Sequence, residues 1–236
     1  MHLRRTLVKR IPAVFLAVIL AGGSELIATG PVAADPVSRI APAAIEVRAR
    51  PIDVFKPGEP SRFRFGSLVY RGGLALTSSA PDFGGLSAFR FDASGQRFVA
   101  LSDHGNWFTG RVVYADKRPI GLADVKTGPM LDHDGAPLAA KGWFDAEALA
   151  IDGEEAFVAF ERVNGIVRFD FSNGVLTARG TRIDVPPALR RLPFNKGIEG
   201  LVRAPKDHPL AGALIALSER GLDKAGNLLA FLVGGP

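Results

Sequence analysis

Five acidic residues occupy repeated positions in this chain of 236 residues. Three apolar, strand-like runs each end in an acid that is followed by a base, and these ends are Asp103-His104, Glu161-Arg162 and Glu219-Arg220. The spacing from 103 to 161 and from 161 to 219 is 58 positions in both cases. A second repeated element lies upstream of each of these strand ends, at 85–89, 145–149 and 197–201. It contributes the other two acids, Glu147 and Glu199. The repetition predicts equivalent structural positions for these carboxylates.

Carboxylates that meet in one place can bind a cation. They are hard oxygen ligands, which suit Ca²⁺ better than zinc or copper. A cluster of like charges is costly unless a cation, protonation or an adjacent base neutralises it. We therefore expect a Ca²⁺ site made by the five acids, which are Asp103, Glu147, Glu161, Glu199 and Glu219. The alternatives are that each acid pairs with a neighbouring Arg or with backbone N–H groups and ties structural units together, or that it is simply surface charge.

Other kinds of catalytic site have less support in the sequence. The chain has no cysteine, which excludes disulfides, Cys-ligated metals and Cys nucleophiles. It contains neither the G-x-S-x-G motif of a nucleophilic serine nor the H-E-x-x-H motif of a metalloprotease. The stretch Asp132-His133-Asp134-Gly135 resembles the start of an EF-hand loop, but the rest of that loop is missing.

Strands and tight turns must position these residues. From Arg62 onward, short runs of Phe, Val, Leu and Ile end at Gly, Asn or Asp, with little helical periodicity. Residues 146–185 give the clearest pattern, and Asn164-Gly165 is typical of a tight hairpin turn. The strands predicted in this stretch are 147–151, 156–161, 166–171 and 175–185. They form a four-stranded antiparallel meander.

A repeated four-stranded meander is typical of a β-propeller blade, because one meander cannot bury both of its faces alone. The innermost strands of a propeller line a central channel, where acids at equivalent positions would converge. We therefore predict an all-β, propeller-like fold of about three to four blades; a β-sandwich is the alternative. The 202 residues after residue 34 make roughly three and a half 58-residue repeats, whereas closed propellers have about four to eight blades, so we expect an incomplete ring.

The first 34 residues resemble an export signal. Four basic residues precede an apolar stretch over 11–21, and small residues follow as far as Ala34. The apolar stretch is too short for a membrane span, so we expect no stable membrane anchor in the mature chain. The pair Arg4-Arg5 leaves both ordinary secretion and a twin-arginine route open, and either predicts a periplasmic protein. A Pro- and Ala-rich lead-in (35–61) and the propeller domain (62–236) follow the signal.

The formal net charge of +5 mostly belongs to the predicted signal. Residues 1–34 hold four of the 29 Lys and Arg and one of the 24 Asp and Glu, so 25 minus 23 leaves +2 on the remainder. The remaining bases are scattered and form no dense tract with interleaved aromatic residues. The charge pattern therefore argues against nucleic acid as a partner.

A set of motifs resembles a known family. These motifs are Phe83-Gly84-Gly85-Leu86-Ser87, Leu101-Ser102-Asp103-His104-Gly105, Asp145-Ala146-Glu147-Ala148-Leu149, Asn195-Lys196-Gly197-Ile198-Glu199-Gly200-Leu201 and Ser218-Glu219-Arg220. Their order and spacing resemble the phytase-like family with esterase-like activity, found mainly in bacterial exported proteins. The resemblance covers roughly residues 62–236. It implies a propeller related to calcium-dependent phytases and hydrolysis of phosphate or carboxylic esters.

We derive expected roles from this resemblance. Asp103, His104 and Glu147 are the expected catalytic residues, and no covalent enzyme intermediate is required. The bases expected to attract a small anionic ester are Arg162, Lys196 and Arg220. The chain differs from the family pattern in ending early and in having His104 where many relatives have Arg. Two alternatives are a non-catalytic propeller module that binds a ligand, and an inactive truncated product.

Overall fold

The structure, a computed structural model, describes residues 41–235. The export signal predicted for residues 1–34 lies outside the described residues. Five short strands precede the first large sheet: β1 (Ala43–Ala44), β2 (Arg48–Ile52), β3 (Arg64–Phe65), β4 (Leu68–Val69) and β5 (Gly73–Thr77). The described part of the predicted lead-in thus contains two strands, since β1 pairs with the first large sheet and β2 pairs with β5.

The first large sheet is an antiparallel meander. Its strands are β6 (Leu86–Phe91), β7 (Arg97–Ser102), β8 (Asn106–Ala115) and β9 (Arg118–Pro129). The strand order is β1-β9-β8-β7-β6, so β1 extends the outer side of the meander. β6 therefore stands at the opposite edge from the added strand.

The second sheet repeats this arrangement. After β10 (Leu131–Asp132) and a 3₁₀ helix (Ala139–Lys141) come β11 (Ala146–Asp152), β12 (Glu155–Phe160), β13 (Gly165–Asp170), a 3₁₀ helix (Val175–Thr177) and β14 (Arg179–Ile183). The predicted meander is present: its first three strands lie within one residue of their predicted ends, and its fourth strand is shorter than predicted. The predicted fourth strand begins instead with the second 3₁₀ helix, whose Val175 and Leu176 pack against buried residues of the first two sheets.

The third sheet contains three strands within the described residues. A short helix, α1 (Pro187–Arg190), leads to β15 (Ile198–Arg203), β16 (Leu214–Leu222) and β17 (Leu228–Val233). Both strand pairs are antiparallel. The first strand, β15, corresponds to β6 and β11 in the earlier sheets.

The three sheets stack in chain order around shared apolar cores. Leu101 and Trp107 of the first sheet pack with Phe160 of the second, and Ile166 of the second packs with Leu214 of the third. The other face of the first sheet is covered in part by residues that precede it, including Ile45 and Val47. β11 lies in contact with both β6 and β15, so the first strands of the sheets adjoin one another. The all-β, propeller-like prediction is confirmed.

Among residues 41–235, no helix is long and apolar enough to cross a lipid bilayer.

Candidate functional site

The strands β6, β11 and β15 each have an irregularity at the same place. The pairing register shifts between Leu86 and Ala88, between Ala146 and Ala148, and between Ile198 and Gly200. The residues skipped by these shifts are Ser87, Glu147 and Glu199. A β-bulge re-aims the side chain of the extra residue. The same backbone device therefore presents a carboxylate in two sheets and a hydroxyl in the first.

A repeated backbone hydrogen bond places the second set of acids next to the bulges. In each sheet, the repeated acid (Asp103, Glu161 or Glu219) donates its backbone N–H to a carbonyl oxygen. The acceptor is the residue two positions before the bulged residue. The three bonds are Asp103 to Gly85 (2.9 Å), Glu161 to Asp145 (2.8 Å) and Glu219 to Gly197 (2.8 Å). The 58-residue spacing of these acids thus corresponds to one backbone position in three sheets.

The acids of the second and third sheets come together in two overlapping groups. One group is Asp145, Glu147 and Glu161, and the other is Glu161, Glu199 and Glu219. In each group, one carboxylate oxygen per residue lies within 4.8 Å of the others. Glu161 belongs to both groups and is only 6% exposed. We call these residues, together with Asp103, the acidic cluster.

Asp145 is a member of the cluster that the sequence prediction missed. It occupies the position of Gly85 and Gly197 in the other two repeats, so the repeat alignment did not single it out as an acid. Its φ is +66°, a conformation that glycine adopts readily and that Asp tolerates better than most other residues. An acid two positions before Glu147, in Asp145-Ala146-Glu147, was the available signal.

Burial and mutual repulsion change the proton affinity of two cluster members. Burial, and then the charges of Glu199, Asp145, Glu161 and Asp103, together raise the pKa of Glu147 to about 7. Partial burial also raises the pKa of Glu199, as do the charges of Glu161, Glu219 and Asp145. The charge of Asp103 thus acts on Glu147, a member of the first group. Four of the five predicted acids, Glu147, Glu161, Glu199 and Glu219, come together with Asp145, whereas Asp103 belongs to neither group.

Glu161 is held in place by the loop before β15. Its Oε1 accepts the backbone N–H of Gly197 at 2.7 Å. A Cβ at Gly197 would lie 2.5 Å from Cγ of Glu161, which is closer than real Cβ contacts come. The absence of a side chain at residue 197 therefore allows the amide to reach the carboxylate.

The three bases that follow the acids have different partners. Nδ1 of His104 lies 3.2 Å from Oδ1 of Asp103, and Nε of Arg220 lies 3.1 Å from Oε1 of Glu219. Arg162 instead lies against two aromatic rings, with its Cζ 4.8 Å from the centre of Phe144 and 5.2 Å from that of Phe194. Pairing between an acid and the next base therefore occurs in two repeats.

Lys196, the remaining predicted substrate-binding residue, is exposed. It immediately precedes Gly197, whose amide holds Glu161. Its place in the chain therefore puts it beside the cluster.

The stretch around Asp132 forms a separate group of possible ligands. Asp132, His133 and Asp134 bring ligand atoms within 4.8 Å of one another. However, Oδ1 of Asp132 accepts the N–H groups of Asp134 and Ala136, and Oδ2 pairs with Lys141. These contacts lower the pKa of Asp132 to about 2, with Lys141 the largest cause. The buried carboxylate is already neutralised, which fits a structural role for this turn.

A family model described as phytase-like, "esterase-like activity of phytase", matches residues 81–233. The matched region includes all three large sheets and every member of the acidic cluster. The chain belongs to the phytase-like family. No curated protein matches this phytase-like chain.

Two solved structures share a likeness with the phytase-like chain. One is the extracellular domain of a hybrid two-component system, BT4673, from B. thetaiotaomicron, with 15% identity, a TM-score of 0.29 and coverage of 70% of this chain and 19% of that one. The other is dihydro-heme d1 dehydrogenase NirN in complex with DHE, with 15% identity, a TM-score of 0.28 and coverage of 69% of this chain and 39% of that one. The phytase-like chain thus spans well under half the length of either protein.

Proposed function

We propose that this phytase-like protein is an exported, calcium-dependent hydrolase of small anionic esters. The observation that carries the proposal is the convergence of acids from successive sheets into two groups that share Glu161. Family membership supports ester hydrolysis as the reaction, and phosphate and carboxylic esters are both candidate substrates. The predicted signal at residues 1–34 supports export to the periplasm.

The acidic cluster fits Ca²⁺ in both donor type and spacing. Ca²⁺ binds oxygen ligands at about 2.3–2.6 Å, so two oxygens on one ion lie at most about 5 Å apart. The oxygens of each group lie within 4.8 Å of one another. Asp103, Asp145, Glu147, Glu161, Glu199 and Glu219 are the residues that would hold the metal. When bound, Ca²⁺ would polarise an ester oxygen and favour deprotonation of water.

Repulsion between the carboxylates of the cluster also favours the binding of a cation. The pKa of Glu147 is raised to about 7, first by burial and then by four neighbouring carboxylates. A bound cation would offset this repulsion and favour the ionised form of Glu147. Calcium affinity should therefore increase as the pH rises through neutrality.

Residues around the cluster can handle the substrate and a proton. Arg162, Lys196 and Arg220 provide positive charge for the anionic group of the ester. His104 contacts Asp103 and is exposed, and an imidazole in such a position can transfer a proton to or from a reacting group during hydrolysis. Hydrolysis by water needs no covalent intermediate, which is consistent with the chain having no cysteine and no G-x-S-x-G motif.

Calcium titration of the purified protein tests the metal site. We expect Ca²⁺ to raise the Tm of the wild type, and Glu161→Gln to abolish most of that rise because Glu161 belongs to both groups. Glu154→Gln is the control, since Glu154 is an exposed acid outside the cluster. A wild type that shows no rise, or an E161Q protein that keeps it, would contradict the calcium site.

Assays with an aryl phosphate and an aryl carboxylic ester test the reaction. We expect Ca²⁺-dependent hydrolysis of at least one of them, and loss of that hydrolysis in the E161Q protein. Calcium binding without hydrolysis of either ester would support a non-catalytic binding module instead.

The size of the exported protein tests the location. We expect the periplasmic fraction of a bacterial host to contain protein beginning at residue 35, which mass spectrometry of the intact chain would identify. Recovery of uncleaved protein from the cytoplasm alone would contradict export.

A further inference from the structure

Arg162 lies over two phenylalanine rings at the border of the acidic cluster. Its guanidinium carbon is 4.8 Å from the centre of Phe144 and 5.2 Å from the centre of Phe194. Both distances are within the range of a cation–π contact. We call Phe144, Arg162 and Phe194 the aromatic clamp.

The chain connects each part of the clamp directly to the cluster. Phe144 precedes Asp145, and Arg162 follows Glu161. Phe194 lies in the short loop that ends at Gly197, whose amide N–H donates to Glu161. Three of the backbone segments that supply the acidic cluster therefore also supply the clamp.

The partners of Arg162 leave its charge available to a ligand. Within residues 41–235, Arg220 forms an ion pair with Glu219, and no ion pair involves Arg162. A cation–π contact uses the charge of the guanidinium and no N–H···O hydrogen bond, so the planar set of N–H donors remains available. Arg162 can therefore donate paired hydrogen bonds to a phosphate or carboxylate group while the rings hold it in position.

Phe194 presents an unusual amount of apolar surface beside this charge. It is 69% exposed, which is more than any other large hydrophobic residue in the described part of the chain. An exposed ring next to an anion-binding group can stack against a planar aromatic group of the same ligand. A short alkyl group would gain little from that contact.

We propose that the aromatic clamp is the binding site for the organic part and the anionic group of the substrate, and that it selects aryl esters over alkyl esters. Arg162 binds the anion, Phe144 and Phe194 position Arg162, and the exposed ring of Phe194 stacks on the aryl group. This inference rests on the proposed function, because it names the substrate class of the same site.

Binding of two phosphonates tests the clamp without turnover. Phenylphosphonate and methylphosphonate carry the same kind of anionic group but differ in the aryl ring, and neither has an ester bond to hydrolyse. We expect the wild type to bind phenylphosphonate more tightly than methylphosphonate by calorimetric titration. The titration is run with Ca²⁺ and with a chelator, so that anion binding by the metal is separated from binding by Arg162.

The variants separate the roles of the ring and the charge. Phe194→Ala should weaken phenylphosphonate binding about 3- to 10-fold, and should change methylphosphonate binding less than about twofold. Arg162→Gln should weaken binding of both about 10-fold or more, because a charge-assisted contact is lost. Arg162→Lys, which keeps the charge but not the planar fork, should recover only part of that loss.

Two control variants account for general effects of the substitutions. Phe63→Ala removes a ring that is 55% exposed and precedes the first large sheet. Arg182→Gln removes an Arg that lies over Trp143 at 4.5 Å and is not part of the clamp. Neither should change phosphonate binding. Unfolding curves check that every variant is folded.

The outcomes distinguish this inference from the proposed function. Selective phosphonate binding that is lost in the F194A and R162Q proteins would support the clamp even if no ester is hydrolysed. If hydrolysis occurs, Phe194→Ala should raise KM for phenyl phosphate with little change in kcat. Equal affinity of the wild type for both phosphonates, no measurable binding, or F194A behaviour identical to wild type would overturn the clamp.

Discussion

Glu147→Gln should stabilise the calcium-free protein at pH 8. The Glu147 carboxyl lies at the bulge of β11, where burial and then the charges of neighbouring acids raise its pKa to about 7. The folded protein therefore disfavours the ionised form, which the unfolded chain accepts freely. Glutamine has nearly the same size and no charge, so the substitution removes this repulsion with little change in packing.

The size and pH dependence of the effect follow from the pKa. Between pH 4.5, the ordinary pKa of Glu, and about pH 7, Glu147 holds a proton in the folded state that it has lost in the unfolded state. The free energy of unfolding therefore falls as the pH rises through this interval. The full rise in the pKa of Glu147 would correspond to about 3 kcal/mol of lost stability at high pH. Because the Glu147 side chain is partly exposed, solvent reduces this, and we expect a gain of about 1–2 kcal/mol for the variant at pH 8. Near pH 4 the gain should disappear.

Urea unfolding with a chelator present, followed by circular dichroism at pH 4 and pH 8, measures the effect. Comparison of midpoints at constant slope gives the change in the free energy of unfolding. Glu154→Gln, the exposed acid on the turn between β11 and β12, should change it by less than about 0.5 kcal/mol at both pH values. An E147Q protein that is less stable than wild type at pH 8, or equally changed at both pH values, would refute the reasoning.

Two further predictions concern the backbone at Gly85 and the buried charge of Asp132. Gly85→Ala should lower the free energy of unfolding by about 1–3 kcal/mol, because Gly85 has a φ of +53° and a Cβ there would overlap the carboxylate of Asp103. Urea unfolding measures this, with Gly58→Ala as a control in open space; similar losses in both would contradict it. Asp132→Asn should destabilise the protein at pH 7, and the loss should shrink as the pH falls toward 2, because Lys141 and two backbone N–H groups hold the pKa of Asp132 at about 2. A loss that is the same at pH 7 and pH 2.5 in thermal unfolding would count against this explanation.

The meander of the second sheet was predictable because its signals are local. Strand residues and turn residues alternate within a few positions, and β12 and β13 lie close to their predicted ranges. Gly165 shows the limit of such reasoning. The Asn-Gly pair predicted a tight hairpin turn because both residues tolerate positive φ, yet of the two only Asn164 has a positive φ, at +45°. Gly165 instead allows the ring of Trp143 to approach, since a Cβ would lie 2.7 Å from its Cη2.

The sequence by itself determined the equivalence of the acids. The identical spacing of Asp103, Glu161 and Glu219 reflects one backbone position. Each of the three donates its backbone N–H to the carbonyl of the residue just before β6, β11 or β15. A repeat in the sequence specifies such a position because each sheet folds from its own local pattern of strands and turns.

Only the tertiary structure decided which side chains meet. Asp145 joins the acidic cluster. Arg162 contacts Phe144 and Phe194, whereas the corresponding base in the other two repeats pairs with the acid that precedes it. The contacts of Arg162 join residues that are 18 and 32 positions apart, from 144 to 162 and from 162 to 194. They depend on how one sheet stacks on the next, and no local repeat in the sequence specifies that stacking.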